Sequence, residues 1–223
     1  MIIAIDGPSG AGKSTLGKML AKELNLLYLD TGAMYRAVGL AVYESGKDFY
    51  DPETVIGIAR HSKIELVGEP DSLQIKLDGR EVTNEIRANE VGQMASIVST
   101  ISEVRRILVE YQRTLGRNSA NGAVLDGRDI GTIVFPNAAV KFFLTATPEA
   151  RARRRCEEDT ERGRTTTYEE TLTEINLRDE RDTSREDSPL AVAEDAIVID
   201  TSELNLTEVF DQMLTLVKEI PAA

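Results

Sequence analysis

Gly7-Pro8-Ser9-Gly10-Ala11-Gly12-Lys13-Ser14-Thr15 stands directly after the apolar run Ile2-Ile3-Ala4-Ile5-Asp6. The stretch matches G-x-x-x-x-G-K-[ST], with a strand pattern ahead of it and an amphipathic helix pattern, Lys13–Leu24, behind it. Glycines allow a tight turn in which backbone N–H groups converge on an anion. The helix opening at Lys13 adds its positive end. In this motif the lysine, here Lys13, reaches the β- and γ-phosphates, and the hydroxyl, here Ser14, ligates Mg²⁺. Gly7 through Thr15 therefore predict a binding site for a nucleoside triphosphate.

The other 214 positions must house that site, since the chain has 223 residues in all. That length suffices for one sizeable core with small inserted lobes. With 41% hydrophobic residues and no apolar run of membrane length, a soluble chain is expected. The N-terminus starts at once with a core strand and no basic segment, so no signal peptide is expected. The lone cysteine, Cys156, excludes an internal disulfide and fits a reducing compartment. Without nearby His or Cys it is a poor metal ligand. His61, the only histidine, excludes any mechanism needing two and reads as a surface helix residue. A formal net charge of −12 argues against a general binder of nucleic acid or anionic membranes. Yet nine arginines fall between Arg151 and Arg185. An acidic body with one arginine-rich stretch suits a small polyanion better than a polymer.

Buried strands are expected at Ile2–Asp6, Leu26–Leu29, Ala123–Asp126, Val140–Leu144 and Ile197–Asp200. Amphipathic helices are expected at Pro148–Glu158, after the N-cap candidate Thr147, and at Thr207–Ile220. Strands alternating with helices imply a parallel sheet covered on both faces. Residues 63–83 break the rhythm: Ile64–Val67, Leu73–Leu77 and Arg80–Thr83 alternate apolar and polar residues between turn signals. They read as a small antiparallel meander, followed by helices at Asn89–Ser99 and Ser102–Leu115. A substrate lobe is placed at residues 31–117. The polar segment Thr160–Thr167 separates two helices and reads as a surface loop or a lid over the nucleotide.

P-loop proteins divide into switches, motors and small-molecule kinases. The N-K-x-D motif with which switches read guanine is missing, and so are the repeats or long arms of most motors. A kinase needs a second substrate beside the γ-phosphate, and arginines hold a phosphate there bidentately. Asp30-Thr31-Gly32-Ala33-Met34-Tyr35-Arg36 and Asp126-Gly127-Arg128-Asp129-Ile130-Gly131-Thr132 each follow a strand directly. That is where α/β folds bind ligands, although each segment alone also reads as an ordinary strand-to-helix turn. Arg178-Asp179-Glu180-Arg181-Asp182-Thr183-Ser184-Arg185, on its own, is equally a solvated helix face.

These segments, in this order and spacing, resemble the bacterial cytidylate kinases, a resemblance that runs from Ile3 to about Lys218 and includes the meander. It implies an α/β P-loop nucleoside monophosphate kinase fold: a parallel five-stranded sheet flanked by helices, an inserted antiparallel β/helical lobe and a short lid. Its regions would be a core at 1–30, 118–151 and 186–223, the monophosphate lobe at 31–117, and the lid with flanking helices at 152–185. The implied reaction is transfer from Mg-ATP to CMP or dCMP. By resemblance Gly7, Pro8, Ser9, Gly10, Ala11, Gly12, Lys13, Ser14 and Thr15 hold ATP, with Arg153 a further candidate from the arginines ahead of the lid. Lys13, Arg128 and Arg185 carry the catalytic charge. Arg36, Arg128 and Arg185 would clamp the CMP phosphate; Ser96, Arg105 and Asp129 would read cytosine; Arg178 and Asp182 would surround the sugar. Thr31, a further CMP-binding candidate, keeps a hydroxyl where some members have Ser, and Ser14 stands where some have Gly. The resemblance further implies a cytoplasmic monomer of pyrimidine nucleotide metabolism, with no nucleic-acid or membrane partner. A kinase for another monophosphate such as UMP, a nucleotide-dependent regulator without turnover, and a polynucleotide-binding ATPase are the competing readings, the last opposed by the net charge.

Overall fold

The computed structural model describes residues 1–161, 163 and 165–219. Its first half runs β1 (Ile2–Asp6), α1 (Lys13–Glu23), β2 (Leu27–Asp30), α2 (Thr31–Ser45), α3 (Pro52–His61), β3 (Ile64–Val67), β4 (Gln74–Leu77), β5 (Arg80–Glu81), α4 (Asn89–Val98) and α5 (Ser102–Asn118). Then come β6 (Ala123–Gly127), β7 (Val140–Thr145), α6 (Pro148–Glu161), α7 (Tyr168–Ser184), β8 (Ile197–Asp200) and α8 (Leu206–Lys218). A π-helical turn occupies Ile130–Val134.

The expected strands form one five-stranded sheet in the order β2-β6-β1-β7-β8. β1 pairs in parallel with β7, Ile3 opposite Val140, and β7 pairs in parallel with β8, Phe142 opposite Ile197. Ile3, Ala4 and Ile5 are all fully buried. A strand covered on both faces has no solvent side to mark with polar residues, which is why β1 reads as an unbroken apolar run. With its flanking helices and a separate three-stranded antiparallel sheet, β3-β4-β5, the fold is the expected α/β class.

The chain divides into two compact units, one made of Met1–Leu20 and the residues from Asp126 on, the other of Ala21–Leu125. In the first, Thr147 Oγ1 accepts from Ala150 N at 3.2 Å, with Pro148 opening α6 behind it. Capping boxes start the next two helices, Thr167 with Glu170 for α7 and Asn205 with Glu208 for α8. α8 buries Val209, Met213 and Val217, one helical turn apart. Ile220, expected to end that helix, lies outside the described residues, as do Arg162 and Arg164 of the expected lid. Around them, Thr160 and Glu161 finish α6 and Thr167 caps α7.

In the second unit, the Asp30–Arg36 segment is a helix start. The Asp30 carboxylate accepts from Ala33 N at 2.9 Å and so caps α2. Met34 and Val38 from this helix join Val55, Val98, Val104 and Leu108 in a core that also receives Ile75 and Leu77 from the meander. His61, exposed in the last turn of α3, lies with Nδ1 2.7 Å from Gly57 O, a surface position as expected. α2 and α4 approach closely at Gly39, where a Cβ would stand 3.0 Å from Ala95 N and 3.1 Å from Met94 Cβ. Gly39→Val should force the two helices apart and cost about 1–3 kcal/mol, the range for overpacking. Denaturant unfolding measures this, and an unchanged midpoint would mean that the helices can separate freely.

Candidate active site

The first unit builds its site around the turn that leaves β1. Gly7 has φ +143°, and a Cβ there would fall 2.0 Å from Leu144 O, so only glycine fits against β7. α1 starts with Leu16 N donating to Gly12 O at 3.1 Å. Lys13, just inside it, is buried and donates from Nζ to Pro8 O at 2.6 Å. Burial, with Arg128 adding like charge and Arg178 more, holds the Lys13 ammonium well below the ordinary lysine range, although Asp126 and Asp6 pull the other way. Ser14 Oγ donates to Asp126 Oδ2 at 2.6 Å. A hydroxyl and a carboxylate side by side are hard oxygen donors of the kind that suit Mg²⁺.

Two arginines brace the loop from outside. Arg151 is 2% exposed; it donates to Ser9 O at 3.1 Å and Ala146 O at 2.9 Å, and forms a fork with both oxygens of Asp179. Arg178 Nη1 lies 3.4 Å from Ser9 Oγ. Arg153, the arginine singled out from the sequence, is exposed on α6, whereas Arg151 from the same run touches the loop. Arg154 donates to the side chain and carbonyl of Thr201, whose Oγ1 in turn lies 3.4 Å from Ala11 O.

Arg128, Asp182 and Arg185 meet in the same unit. Arg128 Nε donates to Asp182 Oδ2 at 2.8 Å, and Arg185 Nη1 stands 3.8 Å from Asp182 Oδ1. Burial alone would raise the Asp182 carboxyl, but Arg128, Arg178 and Arg185 hold it below the usual carboxylate range. Arg185 lies past the end of α7 and also donates to Ser188 O at 3.0 Å. Thus the Arg178–Arg185 stretch is not simply a solvated face. Asp129 is buried, with its carbonyl accepting from Ile133 and Val134 in the π turn.

Asp6, at the end of β1, accepts from Ile130 N at 2.8 Å and Gly131 N at 2.7 Å. Burial pushes its carboxyl up to about 6 and Asp129 adds to the rise, against the pull of those two donors and Lys13. Sequence reasoning missed Asp6 and Arg151 and quoted Asp126 without a role. The available signal was a charged residue ending an apolar strand run, as at Asp6 and Asp126.

The remaining candidates belong to the second unit. Thr31 is buried in the first turn of α2. Arg36 Nη1 donates to Ile86 O at 3.0 Å and covers Gly92, where a Cβ would stand 3.1 Å away. Ser96 and Arg105 are buried on α4 and α5. Arg105 donates to Ser99 O at 3.3 Å and sits 5.5 Å from the Tyr35 ring centroid, within cation–π range.

Asp182→Ala takes away the anion that Arg128, Arg178 and Arg185 share, a change that costs about 3–5 kcal/mol when a buried pair is broken. A large drop in Tm in nucleotide-free, low-phosphate buffer is expected; an unchanged Tm would mean that solvent already screens the cluster. Asp6 acts in the opposite sense. The folded protein holds its proton more tightly than the unfolded chain, so stability falls as pH rises from the ordinary value of 3.8 to about 6. Between about pH 4.5 and pH 7.5, wild type should lose about 2 kcal/mol relative to Asp6→Asn. Denaturant unfolding at both pH values checks this, and a pH-independent difference would mean that water reaches the carboxylate.

A family model described as cytidylate kinase matches residues 3–219. A protein named cytidylate kinase from Caldanaerobacter subterraneus subsp. tengcongensis is 48% identical over 97% of this chain and 94% of its own. Another of that name, from Caldicellulosiruptor bescii, is 48% identical over 96% of this chain and 94% of its own. Among solved structures, an uncharacterized protein from Eubacterium ventriosum has a TM-score of 0.54 at 12% identity, covering 98% of this chain and 99% of that one. That likeness is one of fold alone. Sequence identity near one half along almost the full length, on a fold with an intact phosphate loop, means that the chain belongs to the cytidylate kinase family.

Proposed function

We propose that the protein phosphorylates CMP and dCMP, taking the γ-phosphoryl group of ATP and releasing ADP with CDP or dCDP. The observation that carries this reading is the gathering of Arg128 and Arg178 about the buried Lys13, beside an intact phosphate loop that Arg151 and Arg178 brace at Ser9. Like charges are brought together in a protein interior where a polyanion will lie among them.

The chemistry asks little else of the protein. The attacking group is a phosphate oxygen, and its second pKa of about 6 leaves it mostly ionised at neutral pH. No general base is needed; alignment and charge neutralisation do the work. The loop from Gly7 to Thr15 turns backbone N–H groups, other than at Pro8, to the ATP phosphates, and Lys13 stabilises charge on the transferred group. Ser14 and Asp126 would hold Mg²⁺. Bound with ATP, that ion neutralises and orients phosphate oxygens. Arg36, Arg128 and Arg185 clamp the CMP phosphate, Arg178 and Asp182 attend the sugar, and Thr31 is a further contact to CMP. Asp129 accepts from the exocyclic amine of cytosine, while Ser96 and Arg105 serve the ring nitrogen and carbonyl. Uracil offers that carboxylate a carbonyl oxygen, an acceptor facing an acceptor. Residues 31–117 form the monophosphate lobe, and 152–185 the lid with its flanking helices. On the ATP side Arg151 braces the loop, leaving Arg153 as an outer contact. The enzyme works as a cytoplasmic monomer of pyrimidine nucleotide metabolism, on free nucleotides rather than nucleic acid or membranes.

ADP release from Mg-ATP is the test, run against CMP, dCMP, UMP, AMP and GMP. Turnover should be strong with the two cytidine nucleotides only; preference for another monophosphate would overturn the base assignment, and silence throughout would favour a binding protein. Lys13→Ala should lower kcat by about 10²–10³, as loss of a transition-state donor does, with little change in CMP binding. An unchanged kcat would remove Lys13 from the chemistry.

A further inference from the structure

Among the described residues, Asp6 is the buried acid at this site that the proposed chemistry does not use. Asp6 offsets part of the Lys13 charge, but a carboxylate next to Gly7 also repels the phosphates that the loop binds, so the ATP side alone does not account for its presence. Its partners do. Both oxygens are committed, one to Ile130 N at 2.8 Å and the other to Gly131 N at 2.7 Å. These two peptides follow Arg128 and Asp129 immediately and open the Ile130–Val134 turn. That turn closes back on Asp129 through Ile133 N and Val134 N, at 2.9 and 3.1 Å to its carbonyl. Gly131 leaves the carboxylate no slack, since a Cβ there would meet Lys141 Cδ at 3.0 Å, Lys141 Cγ at 3.2 Å and Asp6 Oδ2 at 3.3 Å. Lys141 is itself held, its buried ammonium donating to Asp195 at 2.6 Å.

We infer that Asp6 is a positioning residue for the acceptor nucleotide: it clasps two consecutive N–H groups and so fixes Arg128 and Asp129 against the strand that carries the ATP loop. Selection and orientation of the monophosphate then depend on a carboxylate whose own oxygens are taken up by backbone. The inference rests on the reading of Arg128 and Asp129 given under Proposed function. An amide at this position offers one carbonyl oxygen to the two donors and turns an N–H toward the other. One bond is lost and a donor faces a donor, while the volume stays the same.

The test is steady-state kinetics of the full-length enzyme and its Asp6→Asn variant, varying CMP, UMP and ATP in turn, with amide hydrogen exchange of Ile130 and Gly131. Loss of protection at those amides, a KM for CMP raised about tenfold or more by misplaced contacts, a KM for ATP within about twofold, and weaker discrimination against UMP are expected. Equal rises in both KM values, or neither KM moving once protection is lost, would overturn the inference. If Asp6→Asn does not fold, Gly131→Ala presses on the same carboxylate without changing its charge. It should reproduce the split between the two KM values on a smaller scale, and its failure to do so would equally overturn the inference. The functional reading fails separately. Should wild type spend ATP on a different monophosphate, CMP kinase activity is refuted, while the clasp is judged by the exchange data and the KM for that monophosphate.

Discussion

A lysine ammonium buried among arginines is the constraint that the first unit is organised around. Lys13 is 6% exposed, and burial together with Arg128 and Arg178 works against its charge. Such a group persists only where carboxylates and carbonyl oxygens offset part of the cost, as Asp126, Asp6 and Pro8 do. The compensation is incomplete by design of the chemistry: a site fully neutralised by its own acids would gain little from binding phosphate. The same tension explains Asp182. It gives Arg128 and Arg185 a shared anion, so that neither guanidinium is buried without a counter-charge. Acidic residues outnumber basic ones by 38 to 26 over the chain, yet Lys13, Arg128, Arg151 and Arg178 gather at the phosphate loop. Location rather than total charge determines what such a protein attracts.

How much of this the sequence reveals depends on how far apart the partners lie along the chain. Strands buried on both faces announce themselves as apolar runs, and the phosphate loop is a contiguous motif in its own local context; both were legible. The helix α2 was not, because Asp30-Thr31-Gly32 looks like a turn. Only the structure makes Asp30 a cap and seats Gly39 against α4. The braces of the site were harder still. Asp6 meets Ile130 across 124 residues, Ser14 meets Asp126 across 112, and Arg151 meets Ser9 across 142. No periodicity encodes such pairs. Among the arginines of α6, helical phase alone decides that Arg151 faces the loop and Arg153 faces water, and a run of alternating charges does not fix that phase. Ser96 and Arg105 became candidates through resemblance; their burial in the second unit, on helices with apolar neighbours, is what sequence could not supply.

Two aspartates end neighbouring strands of the sheet, Asp6 on β1 and Asp126 near the end of β6, and both are 4% exposed. Burial alone does not tell them apart; their donors do. Asp6 faces two backbone N–H groups, which only donate and cannot turn away, since the turn that carries them is closed on itself. An acid bound in that way is a structural fixture. Asp126 faces the Ser14 hydroxyl, which can rotate and accept as well as donate. A cation shared by the two groups would need that freedom, since the hydroxyl would have to turn its proton away from the carboxylate and offer a lone pair. The Ser14 hydroxyl can therefore exchange its role, whereas Asp6 is tied to two donors that can only donate. The difference between a residue that binds and one that positions is set here by whether the partner's proton can move.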